Sequence, residues 1–352
     1  MNKPRKDTIV KIIFVLSAVC LIFAVGLVVG TKLIDKKYAE QTQATQTNQT
    51  STISETTEDL YAEDDGRPVT YFDGNPYYLK ENIETILFIG VDASEERDAQ
   101  DEANGNMTFN QSDVVMLFVI DHDNESYSLI QLNRDTMTEI IVARQTADDV
   151  ITRQAQLALS FSYGSDMYDC SELTATAVSK LMYDMPIDHY IAITMDSLPI
   201  LNDQVGGVTV TIPEDMTMDD PAMAEGETIT LTGDQAEIFI RAREELEDAT
   251  NINRMNRQRT YMSAWRQQAL TRMAEDENFA IDLILELSNY LYSDMDASAL
   301  ADFATQLQDY QDNGILTIEG ENVQGDEYME FYIDDNDLKR VIIEVFYEPK
   351  EA

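Results

Sequence analysis

Nineteen consecutive residues, Ile12 to Gly30 ("IIFVLSAVCLIFAVGLVVG"), carry no charge. That is about the length needed to span a ~30 Å hydrocarbon core. Beyond residue 80 the apolar pattern changes to short runs. "ETILFIGVD" (84–92) is an apolar run ending in Gly90 and Asp92, which predicts a buried strand. "SDVVMLFVIDHDNESYSLIQLNRDT" (112–136) holds two β-rich runs around a polar "DHDNE", the signature of an antiparallel hairpin. In such a hairpin Asp113 begins one strand and Arg134 ends its partner, so both lie at one sheet edge. Asp92 ends the preceding strand and can return to the same edge.

Farther along, the pattern predicts helical stretches over 155–163 and 171–183 and a strand at "HYIAITM" (189–195). A further strand follows the Gly206-Gly207 turn in "VGGVTVTIPED". Thr232 with Gln235 three residues later has capping-box spacing for a short helix. Arg254, Arg257, Gln258 and Tyr261 fall at i, i+3, i+4 and i+7, one face of a helix starting near Asn251 or Asn253. Helix ("DASALADFATQLQDY"), strands ("GILTIEG", "EYMEFYI") and helix ("NDLKRVIIEVFY") complete the chain. Alternating helices and mixed strands predict an α/β fold, an α-β-α sandwich with a central mixed sheet, preceded by one N-terminal transmembrane helix.

The ends of the apolar run bear on location. Lys3, Arg5, Lys6 and Lys11 precede it and Lys32, Lys36 and Lys37 follow it, a small excess that points the N-terminus inward. No A-x-A site follows, so an uncleaved anchor is expected rather than a signal peptide. The expected order is a cytoplasmic tail (1–11), an anchor (12–31), a disordered Gln/Thr-rich spacer (32–75) and an extracytoplasmic domain (76–350). The protein is thus expected in the cell membrane, single-pass, with the N-terminus inside.

Charge narrows the partners. The chain has 24 Lys and Arg against 66 Asp and Glu, a formal net charge of −42. Nucleic acid is excluded as the default partner, because phosphate-backbone binding needs a broad cationic face. The two cysteines, Cys20 and Cys170, cannot form a disulfide within the domain or a cysteine zinc site. His122 and His189 lack the neighbours of a histidine-based triad.

Against that acidity, "IRAREELEDATNINRMNRQR" (240–259) concentrates arginine. Arg241 and Arg243 point the same way if the chain there is extended. Arg254 in a first helical turn opposes the helix dipole, a cost accepted more readily where an anion sits between. A plain surface helix, its arginines paired with the upstream "EELED", accounts for Arg259, Arg266 and Arg272 but less well for Arg241, Arg243 and Arg254. Two carboxylates, Asp92 and Asp113, meeting at one edge repel each other and invite a divalent cation. Carboxylates on one side and guanidinium forks on the other fit a bound pyrophosphate.

The order "ILFIGVD", "SDVVMLFVID", "LNRDT", "SYG", "VGGVTVTIP", "LTGDQAEIFIRAR", "NRMNRQR" resembles the LytR-CpsA-Psr family of cell-envelope proteins over about residues 80–275. The resemblance implies a Mg²⁺-using phosphotransferase that moves a glycopolymer phosphate from an undecaprenyl-pyrophosphate carrier to peptidoglycan, with a pocket accepting the lipid chain. It implies Asp92 and Asp113 as metal ligands and Arg134, Arg241, Arg243, Arg254, Arg257 and Gln258 as the pyrophosphate grip. Arg134, Asp135 and Asp92 are the candidate catalytic residues, Asp92 and Asp135 being candidates for the base that the acceptor hydroxyl needs. The sequence departs from the family at Gln111-Ser112-Asp113, Asn133-Arg134-Asp135 and Gln156-Leu157-Ala158, where Gln111 and Gln156 replace expected cations. Those departures keep a second reading open, a polyprenyl-phosphate-binding or regulatory envelope protein without turnover.

Overall fold

The computed structural model describes residues 67–92, 110–146, 149–242, 251–276, 279–296, 299–300, 303, 310–325 and 328–350. The expected anchor lies outside them, and among the described residues no helix is long and apolar enough to cross a membrane. Strands β1 (Val69–Phe72) and β2 (Asn75–Leu79) pair antiparallel across Asp73 and Gly74. Both turn residues have positive φ, 49° and 77°, as a tight Asp-Gly hairpin turn requires. Strand β1, and the first residue of β2, fall inside the segment (32–75) assigned to the spacer.

The expected strand and hairpin are present as β3 (Ile83–Val91), β4 (Ser112–Asp121) and β5 (Ser126–Leu132). Next come a hairpin of β6 (Met137–Thr146) and β7 (Asp149–Gln156), then helix α1 (Met167–Leu181) and β8 (His189–Thr194). Helix α2 (Leu198–Gln204), a small ribbon of β9 (Thr209–Thr211) and β10 (Thr228–Thr230), and helix α3 (Gly233–Arg241) follow. Helices α4 (Asn251–Glu275) and α5 (Phe279–Leu287) lead to β11 (Leu291–Ser293) and β12 (Gln311–Thr317). The chain ends with the hairpin β13 (Gly320–Gln324) and β14 (Met329–Ile333), helix α6 (Asp335–Phe346) and β15 (Tyr347–Pro349), which pairs with β2.

The central sheet has the order β11-β8-β3-β4-β5-β12. β3 with β8 and β5 with β12 are parallel; the other pairs are antiparallel. Alternation along the strands feeds two cores. Ile86, Phe88, Met116 and Phe118 join residues of α2–α5 on one face. Leu87, Ile89, Val115 and Leu117 join α1 and α6 on the other. The α-β-α sandwich is as the pattern predicts, since alternate residues of a strand point to opposite faces.

Two local expectations need correcting. The stretch 155–163 is not an ordinary helix: β7 runs to Gln156, and a 3₁₀ helix spans Leu157–Tyr163. The next helix begins four residues earlier than expected, because the Asp166 side chain accepts from the backbone N–H groups of Tyr168 and Asp169 and caps it. The helix expected over 296–310 falls largely outside the described residues.

Candidate active site

Antiparallel pairing brings the end of β3, the start of β4 and the end of β5 to one sheet edge. Gly90 pairs with Val114 and Val91 with Ser112, so Asp113 is the extra residue of a bulge. Bulges re-aim a side chain out of the alternating pattern. A Cβ at Gly90 would lie 2.9 Å from that of Val114, so the close approach here needs glycine.

Asp113 and Arg134 are buried and in direct contact. Arg254 approaches the other Asp113 oxygen at 3.8 Å from the first turn of α4. Arg134 also donates to Gln111 Oε1 and lies 3.6 Å from Asp135 Oδ1. Asp92 Oδ1 accepts from Arg241 Nη2 at 2.6 Å, and Arg241 also pairs with Glu237 one turn back. Arg241 is the last residue of α3, not part of an extended run; at that position its cation complements the helix dipole. Arg243 lies outside the described residues.

The helical face predicted for Arg254, Arg257, Gln258 and Tyr261 is real, and all four are buried. Arg257, though, turns away from the cluster. Its Nε donates to the Phe239 carbonyl at 2.8 Å, its Nη2 to the Ala242 carbonyl, and its Nη1 pairs with Glu214. It satisfies carbonyls left over at the end of α3, so the expected pyrophosphate contact is replaced by a structural one. Arg259 reaches Gln131 on the sheet at 2.8 Å, and Arg266 faces Asp312 at 3.9 Å with its side chain 19% exposed. Neither is the solvated decoration the sequence suggests; Arg272, 46% exposed beside Glu275, is.

Beside the cluster lies a narrow apolar cavity of about 30 Å³ between the sheet and helices α2–α4, lined by Phe88, Gly90, Val114, Ile193, Leu201 and Met262. Gln258 shares that lining, and its Nε2 is buried without a hydrogen-bond partner. An unpaired buried donor costs about 1–3 kcal/mol, so Gln258 Nε2 is free to donate to an oxygen brought into the seam.

Asp92 and Asp113 are hard oxygen donors on adjacent strand ends, suited to Mg²⁺ held together with phosphate oxygens and water. Among the described residues no three His, Cys, Asp or Glu side chains gather to hold a metal. In this structure both carboxylates are engaged by arginine, Asp92 by Arg241 and Asp113 by Arg134 and Arg254. The histidines take no part: His122 contacts Glu84 at 3.0 Å and His189 contacts Asp294 at 3.0 Å. Burial pushes the Cys170 thiol up to about 11, which keeps it un-ionised and unreactive near neutrality. The sequence did not foretell the roles of Gln111 and Gln156, which bond Arg134 and Asp135 directly; their place beside the Asp113 and Asn133–Asp135 motifs was the available signal.

Fold and cluster together define an α-β-α domain with an arginine-carboxylate site at the mouth of an apolar seam. The chain belongs to the LytR_cpsA_psr family, whose model matches residues 42–344. It is 31% identical over 180 residues to the polyisoprenyl-teichoic acid–peptidoglycan teichoic acid transferase TagU of Halalkalibacterium halodurans, covering 51% of each chain. The protein of that name from Bacillus cereus is 32% identical over 152 residues, 43% of this chain and 45% of that one. The chain thus spans about half the length of the curated relatives it matches. Among solved structures, protein gbs0355 of Streptococcus agalactiae superposes with a TM-score of 0.58 at 21% identity, covering 77% of this chain and 90% of that one. TagT bound to LI-WTA gives 0.54 at 15% identity, covering 75% and 90%. At these identities the likeness carries the fold.

Proposed function

We propose that the protein is a membrane-anchored phosphotransferase that moves a glycopolymer phosphate from an undecaprenyl-pyrophosphate carrier to a peptidoglycan hydroxyl outside the membrane. The observation that carries this reading is the buried Asp113 between Arg134 and Arg254, beside an apolar seam that holds the unpaired Nε2 of Gln258. Guanidinium groups suit phosphate oxygens, and an apolar seam suits a prenyl chain. The seam is narrow here, so a lipid would enter by parting α2–α4 from the sheet. The names of the TagU relatives support a teichoic acid as the polymer. Residues 12–31 would tether the domain.

In the reaction, the acceptor hydroxyl oxygen bonds to the phosphorus nearest the sugar, and that phosphorus breaks its bond to the bridging oxygen. The lipid phosphate leaves with the electron pair. Arg134, Arg241 and Arg254 bind and orient the phosphates and offset charge growing on the transferring and leaving oxygens. Arg243 is proposed for the same grip. Mg²⁺, when held by Asp92 and Asp113, would supply further charge neutralisation. Asp92 or Asp135 would take the hydroxyl proton.

Purified protein should carry polyprenyl phosphate detectable by mass spectrometry, and should transfer a synthetic carrier-linked glycan to a peptidoglycan fragment in a chelator-sensitive way. The replacement of expected cations by Gln111 and Gln156 favours the second reading, a carrier-binding protein without turnover. Lipid capture without transfer under any metal condition would select that reading.

A further inference from the structure

Gln156 closes β7, and both hydrogens of its amide are used at the edge of the site. Its Nε2 donates to Asp135 Oδ1 at 3.2 Å and to the Met329 carbonyl at 2.7 Å. Met329 opens β14, and the same hairpin grips the motif again: Phe331 N–H donates to the Asp135 carbonyl at 2.9 Å, and Phe331 bridges Thr136. At the far end of β13, Gly320 lets the hairpin close, since a Cβ there would lie 2.4 Å from the Tyr332 carbonyl oxygen. The 133–136 turn is thereby clamped between β7 and a hairpin almost two hundred residues later in the chain.

The clamp leaves Asp135 in a different setting from its neighbours. The Asp113 side chain is 5% exposed with a guanidinium near each oxygen, whereas that of Asp135 is 16% exposed at the rim. Beside the turn of the β13–β14 hairpin, one residue from Met329, stands Tyr328, 64% exposed. Tyr328 precedes Met329, whose carbonyl shares the Gln156 amide with Asp135; an exposed aromatic face suits the C–H face of a neutral sugar, as a rim carboxylate suits its hydroxyl.

We propose that Gln156 is a positioning residue that holds the Asp135 carboxylate toward the acceptor, and that the β13–β14 hairpin with Tyr328 forms one wall of the acceptor-sugar subsite. This rests on the phosphotransferase reading. In the transfer step, the acceptor hydroxyl gives its proton to Asp135 as its oxygen bonds to phosphorus, and the carrier phosphate departs with the electrons of the broken P–O bond. Gln156 touches neither reactant. It acts by fixing the carboxylate against an immobile backbone carbonyl.

The test uses the full chain in detergent, a synthetic prenyl-pyrophosphate-linked disaccharide as donor and a peptidoglycan oligosaccharide as acceptor. Gln156→Ala and Gln156→Glu should cut kcat for transfer at least about tenfold, with the donor Kd within about twofold and the melting temperature little changed. Gln156→Lys, whose ammonium can donate to both acceptors, should restore most of the rate. Tyr328→Ala, a surface change, should raise the acceptor KM severalfold and leave donor binding alone. Wild-type rates in Gln156→Ala, or donor binding and transfer falling together, overturn the assignment of Gln156. An unchanged acceptor KM in Tyr328→Ala overturns the wall. If the wild-type chain transfers to no acceptor, the phosphotransferase reading falls, and this inference with it.

Discussion

The carboxylate of Asp113 lies against the guanidinium of Arg134, each side chain only 5% exposed. With Arg254 at the second oxygen and Asp135 3.6 Å from Arg134, two guanidinium groups and two carboxylates meet here. In this state Asp113 occupies the position between guanidinium groups that a phosphate would seek.

Removing Asp113 takes a buried partner from both arginines. Losing one partner of a buried pair costs about 3–5 kcal/mol, and Asp113→Ala should lose that much in urea unfolding. Inorganic pyrophosphate should return part of the loss, and should stabilise the variant more than the wild type. Equal response of the two proteins would remove the case for an anion between Arg134 and Arg254.

Arg241 and Arg257 should behave oppositely. Arg257→Ala strands the Phe239 and Ala242 carbonyls and leaves Glu214 with only the Asn253 amide, and should destabilise by about 3–5 kcal/mol. Arg241, 31% exposed on Asp92, should cost no more than about 1 kcal/mol of stability when replaced by Ala. That change should weaken donor binding by about 1.5–3 kcal/mol, the size of a charged hydrogen bond. Calorimetric binding and chemical unfolding of both variants separate the roles.

Asp312 supplies a pH dependence. Burial pushes its carboxyl above the ordinary 3.8, against smaller opposing contributions from the Gly314 N–H, Arg266 and Tyr127. The folded chain then holds this proton more tightly than the unfolded chain. The stability it contributes is complete below 3.8 and is lost as pH rises through the higher folded value. Asp312→Asn should therefore gain on the wild type as pH rises above 3.8 in unfolding experiments. Arg266→Ala should move that window upward, and a pH-independent difference would contradict the assignment.

Gly90 should tolerate no side chain. Its Cβ would crowd Val114 at the bulge that aims Asp113, and overpacking costs about 1–3 kcal/mol. Gly90→Ala should also reduce donor affinity, whereas an equally destabilising change at Leu287, in the core on the helical side, should not. Loss of affinity in both would trace the effect to stability alone.

The anchor is tested in wall-stripped cells. Added protease should release a fragment beginning near residues 40–60, within the Gln/Thr-rich part of the sequence. Protection until lysis would reverse the expected orientation.

Local pattern alone determined much of this molecule. The β3–β4–β5 unit follows from short apolar runs bounded by turn residues, and the buried face of α4 from 3.6-residue spacing. Both are properties of neighbouring residues, so they survive without knowledge of the rest of the chain. The β6–β7 hairpin escaped notice because polar residues such as Glu139, Gln154 and Arg153 interrupt its alternation, and its register contains two irregularities.

Tertiary structure alone decided where each side chain went. Arg254 and Arg257 share a helix face, yet one meets Asp113 and the other ends α3, because α3 packs across the second and not the first. Asp92 meets Arg241 across 149 residues and Gln156 meets Met329 across 173. Such pairings depend on how distant segments close against one another, and residue spacing carries no record of that closure.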